Sequence, residues 1–204
     1  VTAAEKAALR MKLGLPAGRP IFIYTGRICR AKGLLELLQI WERLIAPDGP
    51  YLLLIGSGAG LHESCEDEVR AMTARHPQSV AWRGGVQNVA QFLQASDVFV
   101  FLSYFEAFSL SMLEAVSVGL PCIVSDVGCA RQIVQHRESG AILPARAGIE
   151  TVLQEIAWMQ AHRDEWPAMG GRGRARVMSG YGLETVAARY VGLCNSRLRR
   201  PDSA

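Results

Sequence analysis

Short apolar runs recur along this chain at intervals that leave room for a helix between successive runs. The runs have the length and the β-branched and aromatic content of strands that are buried on both faces. The segments between them are amphipathic, and in residues 34–45 the large apolar side chains mark one broad helical face. This alternation predicts βαβ units and an α/β fold with a doubly wound parallel sheet of about six strands, helices on both faces and right-handed crossovers. The runs are Ile21–Thr25, Tyr51–Ile55, Val80–Trp82, Val98–Leu102, Cys122–Ser125 and Ala141–Leu143.

The chain becomes helical from about residue 145. Apolar periodicity predicts helices over Ile149–Ala161, Glu165–Ser179 and Leu183–Arg199, with a break at the Gly170-Gly171 pair, after an earlier helix over 61–74. The sequence contains no internal repeat and no linker. We therefore predict one domain over residues 1–204, with a helical C-terminal segment.

Composition and charge argue against several functional classes, namely nucleic-acid-binding, membrane-spanning and metal-binding proteins. The net charge of +3 is too small to indicate nucleic-acid binding, and the basic tail Arg197, Arg199 and Arg200 is typical of a solvated helix end. No apolar segment approaches the roughly 18 residues of a membrane span. The five cysteines and four histidines lack metal-ligand spacing, so we expect no metal site, and we expect reduced thiols in a cytoplasmic protein.

Two glutamates flank the predicted junction between the fourth strand and the following helix. Glu106 follows the strand, and Glu114 lies about one turn into the helix, for which Ser109 and Ser111 are both candidate N-caps. Ligands bind at the carboxyl ends of strands in open α/β sheets, and two acceptors beside a helix N-terminus suit a polyhydroxylated, phosphorylated ligand. Taken singly, Glu106 is equally an exposed loop acid, and Glu114 is better interpreted as part of a capping box that begins at Ser111.

A second candidate site follows the first strand. Gly26, Arg27 and Lys32 precede a helix N-terminus, and a bidentate guanidinium, an ammonium and a helix end together suit a diphosphate. The two cations are equally typical of a solvated helix start. The chain has no Walker loop, and residues 56–60 lack the spacing of a dinucleotide fingerprint. Glycines at several strand ends would let a ligand approach the backbone closely.

Several motifs in order resemble the group 1 (family 4) retaining glycosyltransferases, which have the GT-B architecture of two Rossmann-like domains. The resemblance covers about residues 5–190 and only the C-terminal, donor-binding half of such an enzyme. It therefore implies that an N-terminal, acceptor-binding domain is absent from this chain, as Val1 in place of Met also suggests. The motifs are Gly26-Arg27 with Lys32-Gly33, Leu54–Gly58, Ser96–Val100, Glu106 with Glu114-Ala115, and Gly119–Ile123.

The resemblance also assigns roles to residues. Arg27 and Lys32 would hold the diphosphate in place of a divalent cation, and Glu106 would contact hydroxyls of the donor sugar; these three form the expected catalytic set. Glu114 would accept hydrogen bonds from the ribose. The main chain of residues 85–86 would bind the base, and amides near the helix start would face sugar or phosphate. The complete expected donor-binding set is Gly26, Arg27, Lys32, Gly56, Gly85, Val86, Glu106, Phe108, Ser109, Leu110 and Glu114.

The implied function is metal-independent, retaining transfer of a sugar from a UDP- or GDP-linked donor, of the hexosyltransferase type, in polysaccharide or glycoconjugate synthesis. No metal cofactor is expected. The isolated chain would bind its donor without turnover, since the acceptor would be bound by the missing domain, and the full-length enzyme would be cytoplasmic or peripheral to the inner face of the membrane. The family often has glycine where this chain has Ala107 and Ser109, which leaves the donor sugar open.

Two other functions fit parts of the pattern. A free-standing, non-catalytic nucleotide-sugar-binding module would need the same donor site, with a partner protein supplying the acceptor domain. A glycosidase would use Glu106 and Glu114 as paired carboxylates that flank the scissile bond. The glycosidase would not need the two cations Arg27 and Lys32, which favours a donor with a diphosphate.

Overall fold

The structure is a computed structural model that describes residues 1–198, so Arg199 and Arg200 of the predicted basic tail lie outside it. Six strands form one all-parallel sheet in the order β3-β2-β1-β4-β5-β6, which confirms the predicted fold class. The predicted strand positions are correct to within one residue. The strands are β1 (Ile21–Thr25), β2 (Tyr51–Ile55), β3 (Val80–Trp82), β4 (Val98–Phe101), β5 (Cys122–Ser125) and β6 (Gly140–Leu143).

Helices fill the connections and cover the sheet. Strands β1, β2, β4 and β5 are buried along their whole length, as their continuous apolar runs predicted. The helices are α1 (Ala3–Leu13), α2 (Leu34–Glu42), α3 (Glu66–Arg75), α4 (Val89–Ala95), α5 (Leu110–Ser117), α6 (Ala130–Ile133), α7 (Ile149–Ala161), α8 (Trp166–Tyr181) and α9 (Leu183–Leu198).

Three departures from the predicted helices are larger than a shift of one or two residues at a helix end. Helix α2 ends at Glu42 rather than at residue 45, and α3 begins at Glu66 rather than at residue 61. The predicted break at Gly170-Gly171 is wrong, since α8 runs through both residues. A Cβ on Gly170 would lie 1.8 Å from the Gly119 carbonyl oxygen. This glycine therefore permits α8 to pack closely on the loop before β5 and does not end the helix.

The order of the strands creates a switch point between β1 and β4. From this central pair the chain proceeds to β2 and β3 on one side and to β5 and β6 on the other. Phe22 of β1 is paired with Val98 of β4, so the loops that follow these two strands emerge side by side. The crevice between such loops is the usual ligand site of an open α/β sheet. The tertiary structure thus places the loops after Thr25 and after Phe101 together.

Helix α1 is held to the sheet by a buried charge cluster. Arg10 is 5% exposed and donates to the Asp97 carboxylate at 2.5 Å, and Lys6 donates to the same carboxylate at 2.9 Å. Asp97 also accepts the backbone amide of Ile21 at 2.7 Å, at the start of β1. Two cations and an amide satisfy this carboxylate, which explains how a polar helix packs against the domain. Within residues 1–198, no helix combines the length and the hydropathy needed to cross a membrane.

Candidate functional site

The two predicted loops meet through an ion pair at the switch point. The Lys32 ammonium donates to the Glu106 carboxylate, and each side chain is only 11% exposed. Lys32 ends a short 3-10 turn, and the following Gly33 has φ +67°. A Cβ on Gly33 would lie 2.2 Å from the Leu102 carbonyl oxygen, so only glycine lets the first loop pack this closely on the second. Two residues of the expected catalytic set are therefore in direct contact.

Arg27, the third expected catalytic residue, has a fixed backbone and a free side chain. Its carbonyl oxygen accepts the Tyr24 hydroxyl at 2.7 Å. Burial raises the pKa of Tyr24 well above its usual range, so this hydroxyl stays protonated and remains a donor. The guanidinium is exposed and forms no ion pair among residues 1–198. Within the described part of the chain, Arg27 thus presents an uncompensated positive charge on the loop that carries Lys32.

Helix α5 begins beside this pair with Ser109 as its N-cap. The Ser109 hydroxyl accepts the amide of Met112 at 3.3 Å, which identifies it, rather than Ser111, as the cap. The Ser109 amide itself donates to the Cys129 sulfur at 3.5 Å. The expectation that this amide faces the ligand is therefore not supported. The amides of Phe108 and Leu110 have no hydrogen-bond acceptor within the described part of the chain and stay available.

Glu114 is exposed and belongs to the helix rather than to its cap. It is the fifth residue of α5, and the third, where a capping box would need an acid, is Met112. The capping alternative for Glu114 is thereby excluded. Its side chain lines a cavity of about 300 Å³ together with Gln87, Asn88 and the start of α4. This arrangement leaves the carboxylate free to accept hydrogen bonds from a ligand.

The glycines of the strand ends differ from one another in what surrounds them. A Cβ on Gly56 would lie 1.7 Å from the Gly26 carbonyl oxygen. The Gly56 amide donates to Gly84 at 2.7 Å, and its carbonyl accepts the Trp82 indole at 2.9 Å. Gly56 therefore serves loop packing, and its expected contact with the donor is not supported. Around Gly85, in contrast, nothing lies within 4 Å of an added Cβ, so its backbone is open to a ligand.

The glycine-rich loop after β2 is occupied by a carboxylate of the protein itself. One oxygen of Glu66 accepts the Gly58 amide at 2.6 Å and the Ser57 hydroxyl at 2.8 Å. These hydrogen bonds, the amide first, lower the pKa of Glu66 below its usual value. Two donors of the loop are thus satisfied within the protein. The sequence signal was present, since Glu66 opens a helix eight residues after Gly58, but spacing alone does not show which acceptor a loop will find.

Two further residues support the site and were not singled out from sequence. Gly128, in the loop between β5 and α6, has φ +56°, and a Cβ there would lie 2.7 Å from the Glu106 carbonyl oxygen. Cys129 follows it and accepts the Ser109 amide. A glycine soon after a buried strand was the available signal for Gly128. Across residues 1–198, no three His, Cys, Asp or Glu side chains are grouped so that they could hold a metal ion.

Comparison with known proteins places this fold and site in a family. The sequence pattern of the family described as glycosyl transferases group 1 matches residues 19–161, well over half of the chain. N-acetyl-alpha-D-glucosaminyl L-malate synthase of Bacillus anthracis is 26% identical over 198 residues, which cover 96% of this chain and 50% of that protein. An Escherichia coli UDP-Gal:alpha-D-GlcNAc-diphosphoundecaprenol alpha-1,3-galactosyltransferase is 31% identical over 147 residues, with 69% of this chain and 37% of the relative covered.

Solved structures match over almost the whole chain. Sucrose-phosphate synthase from Thermosynechococcus elongatus superposes with a TM-score of 0.82 at 27% identity, covering 94% of this chain and 49% of that one. HepE of Anabaena, solved in complex with UDP, has the same fold with a TM-score of 0.85 at 18% identity, covering 96% and 54%. The chain thus spans about half the length of the relatives that it matches along nearly its whole length. Its fold is that of one domain of a GT-B enzyme, and the chain belongs to the group 1 glycosyltransferases.

Proposed function

We propose that this chain binds a nucleotide-diphosphate sugar and serves as the donor domain of a retaining, metal-independent glycosyltransferase. The observation that carries the proposal is the Lys32–Glu106 ion pair at the switch point, on the same loop as Arg27, whose guanidinium has no ion-pair partner among residues 1–198. Cations and a carboxylate acceptor in one crevice match the two parts of such a donor, a diphosphate and a sugar.

The chemistry follows from where charge develops during transfer. As the glycosidic bond breaks, negative charge grows on the leaving diphosphate, and fixed cations and amides stabilise it without reorganising. Arg27 and Lys32 supply the cations, and the free amides of Phe108 and Leu110 supply neutral donors. When the donor sugar is bound, the Glu106 carboxylate accepts hydrogen bonds from the sugar hydroxyls as well as from Lys32. With two cations already at the diphosphate, we infer that transfer needs no divalent metal.

The nucleoside half fits the cavity beside Glu114. Its volume of about 300 Å³ and its carboxylate suit a ribose, and the open backbone of Gly85 suits a base, with the partly buried Val86 next to it. Among the relatives, the E. coli enzyme is named for UDP-Gal, and HepE was solved with UDP-glucose. We therefore favour a UDP-hexose over a GDP-sugar as the donor, which makes the enzyme a hexosyltransferase.

The acceptor is assigned to polypeptide outside these residues. Relatives that match nearly the whole chain are about twice as long as this chain. We expect the isolated chain to bind its donor without turnover. Relatives include a putative teichuronic acid glycosyltransferase of Bacillus subtilis and a lipopolysaccharide core mannosyltransferase of Rhizobium meliloti. By analogy with these relatives, we propose that the whole enzyme helps to synthesise a cell-surface glycan and associates peripherally with the membrane.

Calorimetric titration of the chain with UDP, GDP and ADP tests this function. We expect UDP to bind and the Arg27→Ala/Lys32→Ala variant to lose at least tenfold in affinity, since each charged hydrogen bond contributes about 1.5–3 kcal/mol. Arg30→Ala is the matched control, because Arg30 lies in the same loop but pairs with Glu68 on the surface. Equal binding with EDTA and with Mg²⁺ is the expected result for a metal-independent site. Affinity unchanged in the double variant would contradict the proposal.

A further inference from the structure

The turn that carries Glu106 rests on the corner between β5 and α6. A Cβ on Gly128 would lie 2.7 Å from the Glu106 carbonyl oxygen, 2.9 Å from the Glu106 Cβ and 3.1 Å from the Ala107 carbonyl oxygen. The turn before α5 therefore packs directly on the backbone of this corner. Ser103 braces the turn from its other end, where its hydroxyl donates to the Phe105 carbonyl at 3.0 Å.

A side-chain contact fixes the end of the same turn. The Ser109 amide donates to the Cys129 sulfur at 3.5 Å, and the two residues are only 4% and 3% exposed. The Cys129 backbone is itself anchored, since its carbonyl oxygen accepts the amides of Gln132 and Ile133 at 2.9 and 3.1 Å. The sulfur is thus held in place by its backbone. It accepts a hydrogen bond from a buried amide that has no other acceptor in the described chain.

We propose that Cys129 is a positioning residue of the donor site, which sets the orientation of the two ligand-facing amides through Ser109. This role rests on the proposed function. The Ser109 amide lies between those of Phe108 and Leu110, so anchoring it holds the Phe108–Ser109 peptide plane and restricts the orientation of the planes on either side. Preorganised amides bind a diphosphate better than mobile ones because they lose less entropy on binding.

The chemistry of a thiol suits this place. The Ser109 amide is buried and needs an acceptor, since a buried donor left unpaired loses its hydrogen bond to water without replacement. A carboxylate would satisfy it but would place a second negative charge near the proposed diphosphate, beside Glu106. Sulfur accepts the hydrogen bond without that formal charge and fills the apolar surroundings as a small hydrophobic group.

The test compares three variants of the chain in UDP titration and in backbone amide hydrogen exchange. We expect Cys129→Ala to weaken UDP binding about fivefold, the equivalent of one ordinary hydrogen bond, and to speed exchange at Ser109. Cys129→Ser keeps an acceptor and should restore most of both. Cys122→Ala is the control, since Cys122 is a fully buried thiol at the opposite end of β5, and its variant should leave UDP affinity unchanged.

The outcomes separate this inference from the function on which it rests. If the unaltered chain binds no nucleotide, the proposed function of the isolated chain fails, while exchange at Ser109 still reports whether Cys129 orders the amide. If UDP binds and Cys129→Ala binds it equally well, the positioning role is wrong. The role is also wrong if Cys122→Ala weakens binding as much at a similar loss of thermal stability, because the effect is then one of general packing.

Discussion

At the scale of single residues, Lys32 and Glu106 depend on each other for charge compensation. Each side chain is 11% exposed, so removal of one leaves the other charge largely buried and unpaired. We expect Lys32→Met and Glu106→Leu each to lower the free energy of unfolding by about 2–4 kcal/mol, and the double variant to lose less than the sum. Urea denaturation of the four proteins in a double-mutant cycle measures this. Strictly additive losses would show that the pair does not exist in solution.

Glu66 gives the loop after β2 a dependence on pH. Its folded-state pKa is lowered by the Gly58 amide and the Ser57 hydroxyl, so its stabilising effect is present above the unfolded pKa, ordinarily near 4.5. That effect is lost as the pH falls from there through the lower folded pKa. We expect the stability of the wild type to fall more steeply over this acidic range than that of Glu66→Gln. Thermal unfolding across a pH series compares the two, and parallel curves would contradict the prediction.

The residues of the site were predictable one by one, but their contacts were not. Arg27, Lys32, Glu106 and Glu114 stand out by charge and by their place after strands. The partners Lys32 and Glu106 are 74 positions apart, and only the pairing of β1 with β4 brings them together. No pattern in the sequence marked Cys129 as a residue of the site, because its role depends on an amide twenty positions away.

At the scale of secondary-structure elements, two adjacent glycines in α8 have opposite roles. A Cβ on Gly170 would lie 1.8 Å from the Gly119 carbonyl oxygen, whereas one on Gly171 would meet nothing within 4 Å. We expect Gly170→Ala to destabilise the protein by about 1–3 kcal/mol through overpacking. Gly171→Ala should stabilise it by about 0.5–1 kcal/mol, since alanine favours a helix interior. Chemical denaturation of both variants is the measurement, and equal effects would refute the packing of α8 on this loop.

The strands were easier to predict than the helices, for a physical reason. A strand buried on both faces must be apolar at every position, so its ends coincide with the ends of the apolar run. A helix end depends on which group caps it. Helix α3 begins at Glu66 and not at residue 61, where the apolar pattern starts, because the preceding residues form a loop held by the Glu66 carboxylate.

At the scale of the whole molecule, α9 adds little to the folded core. None of residues 183–196 is buried, and Leu183, Tyr190 and Leu193 are 86%, 69% and 66% exposed. We expect deletion of residues 183–204 to change the free energy of unfolding by less than about 1 kcal/mol. The deletion should also reduce concentration-dependent self-association, because it removes exposed apolar surface. Urea denaturation and sedimentation velocity measure the two effects, and a loss of several kcal/mol would contradict the first.

The sequence by itself determined the fold class, the positions of the strands and the charged residues that follow them. These depend on local composition and on a periodicity of apolar residues that only a buried parallel sheet satisfies. It also pointed to the family, which the match of the family pattern over residues 19–161 shows.

Only the tertiary structure decided which polar groups are free to contact a ligand and which already form hydrogen bonds within the protein. Gly56 and the Ser109 amide looked available from sequence, but each bonds to a residue distant in the chain, at Gly84 and Trp82 for the first and at Cys129 for the second. A buried backbone amide or carbonyl forms a hydrogen bond with a group that lies close in space. Which groups lie close is set by the order of the strands. The Lys32–Glu106 pair is a consequence of that order.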